Sequence, residues 1–256
     1  KYSHIIFNKS FILYSIPWLM FTLINYTTIP IQAQIYGNPE TYTFLAEMEF
    51  IITAIVALIS GFIADKIGRK RLSIIGFILL GIGYAVIGLA SANIPIDAAG
   101  TATLENTSIL LIGGIAFTVI DGIAWGIFYV LFVFTLWGDL ANNKWSDKFY
   151  FLGVLPYVSA YLIQLMFTPL LSEISFITVF SFASVFLFIA VLPLIYAPET
   201  LPDKLMKDRE LKSYIENAKK KATKVKHKNK HHKEETEPEE NSAEYEEAKK
   251  LAEKYY

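Results

Sequence analysis

Long apolar runs alternate with short polar connections along the first 200 residues of the chain. A helix needs about 20 mostly apolar residues to cross a bilayer. Six runs reach that length: residues 11–32, 44–64, 72–92, 109–137, 150–171 and 176–196. The pattern predicts an all-α, polytopic membrane protein with six transmembrane helices over residues 1–200. Residues 201–256 contain no such run and are predicted to form a charged tail, partly helical and partly disordered.

The composition agrees with a membrane location. Of the 256 residues, 54% are hydrophobic and 18% are charged, which is more apolar than a soluble domain of this size requires. A large soluble protein with buried helices is the alternative, and six runs of spanning length argue against it. The net charge of -1 reflects basic and acidic residues that cancel in the tail, so it indicates no nucleic-acid partner. Because the chain has no cysteine, disulfides and thiol chemistry are excluded.

The basic residues before the tail occupy alternate connections. They are Lys1, Lys9, Lys66, Arg69, Lys70, Arg71, Lys144 and Lys148. The three remaining connections carry only acidic charges. The positive-inside rule therefore predicts a multi-pass protein of the cell membrane with both ends of this segment, and the tail, in the cytoplasm.

The connection between the second and third predicted spans reads GFIADKIGRKR, residues 61–71. Its basic residues would hold a short turn at the cytoplasmic membrane surface. Gly61 would let another helix approach closely, and Gly68 suits a turn that needs positive φ. Asp65 is predicted either to accept hydrogen bonds from the amides of a helix N-terminus or to pair with Arg69.

This segment resembles the signature loop of the major facilitator superfamily of secondary transporters. The matching residues are Gly61, Asp65, Lys66, Gly68, Arg69, Lys70 and Arg71. The resemblance covers about residues 5–200 and implies one of the two six-helix halves of such a transporter. The sequence APETLPDKL after the sixth span is similar to the one that follows the last helix of sugar-transporter-like members, although a related sequence follows their sixth helix. This feature and the highly charged tail favour the C-terminal half of a longer chain, and the missing initial methionine agrees with that choice.

The resemblance also implies roles for particular residues. Asp65 and Arg69 would belong to a gate that contacts a second six-helix half, in the same chain or in a dimer partner. The first and fourth helices would line the transport cavity.

The fourth span contains the strongest candidate for a solute or proton site. Asp121 lies near its middle, where a carboxylate is costly unless it faces a cavity or a partner. Thr118, Trp125 and Tyr129 follow the same helical face. Several glycines make the helix thin and easy to pack. The alternative is a structural Asp121, either protonated or hydrogen-bonded to a neighbouring helix.

Other polar residues of the spans carry weaker signals. Trp18 and Asn25 share a face of the first span and are assigned to the same solute or proton site, with helix-to-helix hydrogen bonding by Asn25 as the alternative. Glu47 and Glu49 begin the second span and lie two residues apart, so they point in different directions and do not form a paired-carboxylate site. Interfacial solvation is favoured for them, and the alternative is that one of the two faces the bundle. Tyr157 is assigned to helix packing.

The preferred function is a secondary active transporter that moves a small solute by alternating access, with protons as a candidate coupling ion. The alternative is a non-transporting scaffold or sensor that signals through its tail. Phosphate-binding, metalloprotease and hydrolase motifs are absent, so the sequence predicts neither an enzyme nor a cofactor. In the tail, His227 and His231 have a metal-capable spacing, but nearby lysines repel cations and no metal site is predicted.

Overall fold

The computed structural model describes residues 2–36, 38–92, 107–141, 145–171 and 174–201, and, in the tail, residues 207, 211, 214–215 and 218–220. These residues are almost entirely helical, and none of them forms a strand. The helices are α1 (Tyr2–Ile6), α2 (Lys9–Ile35), α3 (Pro39–Ile67), α4 (Arg69–Ala90), α5 (Thr107–Phe128), α6 (Leu136–Ala141), α7 (Ser146–Leu171), α8 (Phe176–Ile189) and α9 (Val191–Tyr196).

The all-α prediction and the six predicted spans are confirmed. Six helical stretches are long and apolar enough to cross a membrane: Lys9–Ile35, Pro39–Ile67, Arg69–Ala90, Ser108–Ala141, Ser146–Phe167 and Phe176–Tyr196. Several of them begin earlier than the apolar runs do, because polar side chains occupy their first turns. Asn8 and Asn38 accept hydrogen bonds from the first amides of α2 and α3, and these caps fix both starts.

The chain divides into two units, Lys1–Leu201 and Pro202–Tyr256. The described tail residues are helical, in the part of the tail for which a helix is predicted. The predicted disordered part of the tail, and the pair His227 and His231, lie outside the described residues.

Helix packing in the first unit places α5 against both α3 and α4. Helix α4 also packs on α8, and α2 packs on α7, α8 and α9. The core between these helices is strongly aromatic. Trp18 is fully buried and stacks on Phe132, with ring centroids 4.9 Å apart. Phe21 contacts Phe128 at 4.7 Å, which ties α2 to α5 at the centre of the bundle.

The fourth span is not a uniform α-helix. Between α5 and α6 the chain forms a π-helix, Tyr129–Thr135. The Thr135 hydroxyl donates to the carbonyl of Val130, five residues earlier, and lies within this turn. A π-helix inside an α-helix is rare and is often found at functional sites.

Close packing of α3 on α5 depends on two glycines of the fourth span, as the sequence indicates. A Cβ atom at Gly122 would lie 2.9 Å from Ile52 Cβ, and one at Gly126 would lie 2.7 Å from Val56 Cβ. Thr53 adds a hydrogen bond of 3.2 Å to the Gly122 carbonyl. By contrast, a Cβ at Gly61 would meet only Val130, at 4.0 Å, so the close approach predicted at Gly61 does not occur among the described residues.

Candidate functional site: a polar and aromatic cavity

A buried carboxyl group near the middle of the fourth span forms the centre of the candidate site. Asp121 is only 2% exposed. None of the described residues forms a hydrogen bond with its Oδ1 atom. Because an unpaired polar atom in an apolar bilayer region is costly, this oxygen marks a place where a proton, a solute or an ion would be stabilising.

Asp121 lines a cavity of about 240 Å³ between α2, α3, α5 and α7. The cavity also brings together four of the other residues that the sequence assigns to a solute or proton site. These are Thr118, Trp125, Tyr129 and Asn25. Thr118 and Trp125 face the cavity from α5, Tyr129 from the start of the π-helix, and Asn25 from α2.

Trp18 does not line this cavity, so the structure does not bring it together with the other residues assigned to the site. It is fully buried in the aromatic core, where its ring lies almost parallel to that of Phe132. Trp18 reaches the site only indirectly, because its ring stacks at 6.2 Å on Tyr157, which is a lining residue.

Glu49 also lines the cavity, in agreement with the alternative that one of the two acids of α3 faces the bundle. It faces the same cavity as Asp121, and the two carboxyl groups are close enough to interact electrostatically. Glu49 is therefore the acid of α3 that faces the bundle, and the favoured interfacial solvation fits only Glu47, which is exposed. Helical periodicity alone shows that the two acids diverge, but it does not show which one faces α5. The Gly122 contact decides that, since a Cβ there would lie 3.0 Å from the Glu49 carbonyl oxygen.

One wall of the cavity is aromatic. The rings of Trp125 and Tyr129 lie 5.1 Å apart, and Trp125 and Tyr157 lie 6.2 Å apart. The hydroxyls of Tyr129 and Tyr157 are 3.3 Å apart and within hydrogen-bonding distance. Tyr157 also contacts Tyr26 of α2 at 5.8 Å. The earlier assignment of Tyr157 to packing is therefore incomplete, because this side chain packs against other rings and faces the cavity as well.

Phenol side chains line the cavity at its end near the α2–α3 connection. Tyr36 and Tyr42 both line it. Burial raises the pKa of Tyr36, and the charge of Asp121 raises it further. The phenol is therefore neutral and can donate a hydrogen bond toward the cavity.

The signature segment at residues 61–71 lies at the opposite end of the bundle, which we call the Gly68 end. Gly68 has φ of 100°, which confirms the positive φ expected at this turn. It connects α3 directly to α4 with no intervening loop.

Arg69 is the centre of an ion-pair network at the Gly68 end. Its side chain is largely buried and is in direct contact with the Asp139 carboxylate of α6. A second, longer ion pair of 3.5 Å joins it to Asp65. The predicted pairing of Asp65 with Arg69 is thus present, while the closer partner, Asp139, was not identified from the sequence.

Glu199 binds the N-terminus of α4. Binding to the amides of a helix N-terminus was one of the two roles predicted for Asp65. The Glu199 Oε1 atom accepts hydrogen bonds from the backbone amides of Arg69 at 2.9 Å and Lys70 at 3.3 Å. The same oxygen accepts from the amides of Thr200 and Leu201. The Lys70 ammonium donates at 2.7 Å to the carbonyl of Ile195. The first turn of α4 is therefore tied to the segment after the sixth span.

The side chains of Lys66 and Arg71 form no hydrogen bond or ion pair with any of the described residues. The gating role assigned to these residues and to Gly61 stays a prediction. No cluster of three metal-ligating side chains occurs in the described part of the chain.

The fold and the site together define a polytopic helical membrane protein with a polar cavity between its spans. The chain matches no protein-family model, no curated protein and no solved structure.

Proposed function

We propose that this protein is a secondary transporter of the major facilitator type that moves a small solute across the cell membrane by alternating access. Asp121 binds the solute or carries a coupling proton. The observation that carries this proposal is the buried carboxyl of Asp121, whose free oxygen faces a cavity within the spans. Such a group is expensive in a purely structural role and useful in a transport pathway.

The contacts at one end of the bundle and the cavity toward the other end support a state of the transport cycle that is closed toward the cytoplasm. The Gly68 end, which the positive-inside rule assigns to the cytoplasm, is held by Arg69, Asp139 and Glu199. The cavity lies toward the other end, near Tyr36 and Tyr42. This arrangement fits a six-helix half in a state closed toward the cytoplasm, with a second half as the partner that completes the pathway. The resemblance of residues 61–71 to the transporter signature loop supports the same reading.

Alternating access can be tested without knowing the solute, because the chain contains no cysteine. A single cysteine at Thr118, in the cavity, is compared with one at Leu58, which is 77% exposed on the outer surface of α3. The full-length protein is placed in sealed vesicles and labelled from each side with a membrane-impermeant maleimide.

Reaction of the Thr118→Cys protein from both sides, with no reaction of Leu58→Cys, is the expected result. A cavity that reacts from one side only, or from neither, would contradict alternating access and would favour the scaffold or sensor function.

The role of Asp121 is tested by the Asp121→Asn substitution, which removes the charge at nearly constant shape. In a proton-coupled carrier, uphill uptake is lost while solute exchange continues. If Asp121 binds the solute, both uptake and exchange fall. Normal uphill transport by a stably folded Asp121→Asn protein would refute both roles, and Glu47→Gln serves as the control acid on the exposed side of α3.

A further inference from the structure

Among the described residues that line the cavity, two are acidic and none is basic. Asp121 contributes from α5 and Glu49 from α3. None of the described lining residues is Lys, Arg or His. Along the sequence, the base nearest to Glu49 is Lys66 and the base nearest to Asp121 is Lys144. Two carboxyl groups in a region of low dielectric cannot both stay ionised without a counter-cation. The site is therefore complementary to positive charge.

The aromatic wall indicates what kind of cation would complement the site. Trp125, Tyr129 and Tyr157 form a contiguous set of rings beside the acids. An ammonium group within about 6 Å of such ring centroids is attracted by the ring quadrupole, and the attraction is stronger where water is excluded. A bare metal ion gains less from rings and prefers several oxygen or nitrogen ligands. The described residues provide no group of three acidic, histidine or cysteine side chains for one.

The size and polarity of the cavity limit the ligand further. Its volume of about 240 Å³ lies below the usual range for drug-sized ligands, which begins at about 300 Å³. Thr118 and Asn25 supply polar atoms to the wall of the same cavity, in which the Asp121 Oδ1 atom has no hydrogen-bond partner among the described residues. This combination suits a small molecule with one charged head and a compact apolar or hydroxylated body.

We infer that the solute is a small organic ammonium ion, held between the Asp121 and Glu49 carboxyl groups and the rings of Trp125, Tyr129 and Tyr157. This inference rests on the proposed transport function, because it assigns the substrate class of the same cavity. Asp121 supplies the main charge contact, since its carboxyl is the more deeply buried of the two and has a free oxygen. The rings select an ammonium group over a neutral molecule of the same shape.

The test measures binding, separately from transport, by isothermal titration calorimetry of the purified full-length protein in detergent. The cationic probes are phenyltrimethylammonium and tetramethylammonium, the neutral probe is benzyl alcohol, and the anionic probe is benzenesulfonate. We expect saturable binding of at least one cation and none of the other two compounds. Equal binding of benzyl alcohol or benzenesulfonate, or no binding of either cation, would overturn the inference.

Matched variants locate the site. Asp121→Asn and Glu49→Gln are each expected to weaken cation binding by roughly tenfold or more, because each removes a buried opposite charge. Glu47→Gln changes an exposed acid on the same helix and should leave the affinity unchanged. Tyr129→Phe keeps the ring and should retain binding, whereas Tyr129→Leu should lose much of it. Unchanged affinity in both folded acid variants would contradict the assignment, and elution as a single monodisperse species checks folding.

The result separates this inference from the transport proposal. Cation binding at Asp121, combined with one-sided or absent labelling of Thr118→Cys, would support the ammonium site and refute transport. Two-sided labelling without cation binding would support transport and refute the ammonium assignment.

Discussion

The two acids that contact Arg69 differ in burial, and this difference predicts unequal effects of removing their charges. Arg69 is 8% exposed, and the exposed fractions of the Asp139 and Asp65 side chains are 15% and 52%. Asp139 is in direct contact with the guanidinium, while Asp65 lies 3.5 Å away. We therefore expect Asp139→Asn to destabilise the bundle much more than Asp65→Asn does.

The magnitude follows from the cost of leaving a buried charge without its partner. Removing one member of a buried pair costs about 3–5 kcal/mol, and because Asp65 remains near the guanidinium we expect about 3 kcal/mol for Asp139→Asn. An exposed pair is worth about 0–1 kcal/mol, so Asp65→Asn should stay within that range. For a chain of this size, about 3 kcal/mol corresponds to a fall in Tm of roughly 6–12 °C.

Thermal unfolding of the detergent-solubilised protein, followed by tryptophan fluorescence, measures both variants against the parent. A third protein, with Arg69→Met and Asp139→Leu together, controls for the ion pair, because replacing both charges removes the uncompensated one and should recover much of the lost stability. Equal Tm shifts for the two single variants, or a larger shift for Asp65→Asn, would refute the burial argument.

Three further predictions concern helix junctions and contacts. Glu199→Ala should lower the free energy of unfolding, measured by chemical denaturation, by about 1–3 kcal/mol. Glu199→Gln should lower it by less, because the amide oxygen of Gln can still cap α4. The larger loss expected for Ala would be contradicted if both variants lost the same free energy of unfolding. Gly126→Ala should lower Tm because the new Cβ would lie 2.7 Å from Val56. Gly61→Ala, whose Cβ would have its nearest contact at 4.0 Å, should be neutral or stabilise by about 0.5–1 kcal/mol. A larger fall in Tm for Gly61→Ala than for Gly126→Ala would contradict the packing described for α3 and α5. Gly68→Ala should cost about 1–3 kcal/mol because φ is 100°, and an unchanged Tm would mean that the turn relaxes without strain.

The spans and their glycine contacts were predictable because both depend on local sequence. An apolar run of spanning length has few alternatives to a transmembrane helix, and Gly122 and Gly126 signal close packing wherever α5 meets a neighbour. The face of α5 that carries Asp121 and Trp125 was likewise visible from helical periodicity. These features need no knowledge of which helices pack together.

The features that escaped prediction depend on pairing between distant segments. Asp139 and Glu199 lie 70 and 130 residues from Arg69 along the chain, and nothing in their local sequence indicates that they meet it. Glu49 could not be distinguished from Glu47 without the packing of α3 on α5. Trp18 shares a helical face with Asn25, but the Trp18 ring is covered by the ring of Phe132. Helical periodicity shows which face of a helix a residue occupies, but it does not show what packs on that face at each level along the helix axis.

The π-helix in the fourth span has a consequence for how this segment tolerates changes in length. Its hydrogen bonds close over five residues where those of an α-helix close over four, so each such turn accommodates one extra residue. The turn lies between the cavity residues, which end at Tyr129, and Asp139 at the Gly68 end. Loss of one residue from the part of the π-helix after Tyr129, residues 130–135, can therefore be absorbed by a return to α-helical spacing, with both ends of the span keeping their orientation. Loss of one residue from the α-helical turns before it would instead rotate Asp121 away from Glu49 or Asp139 away from Arg69. The π-helix is therefore the part of the span that can vary in length without changing the relative orientation of Asp121 and Asp139.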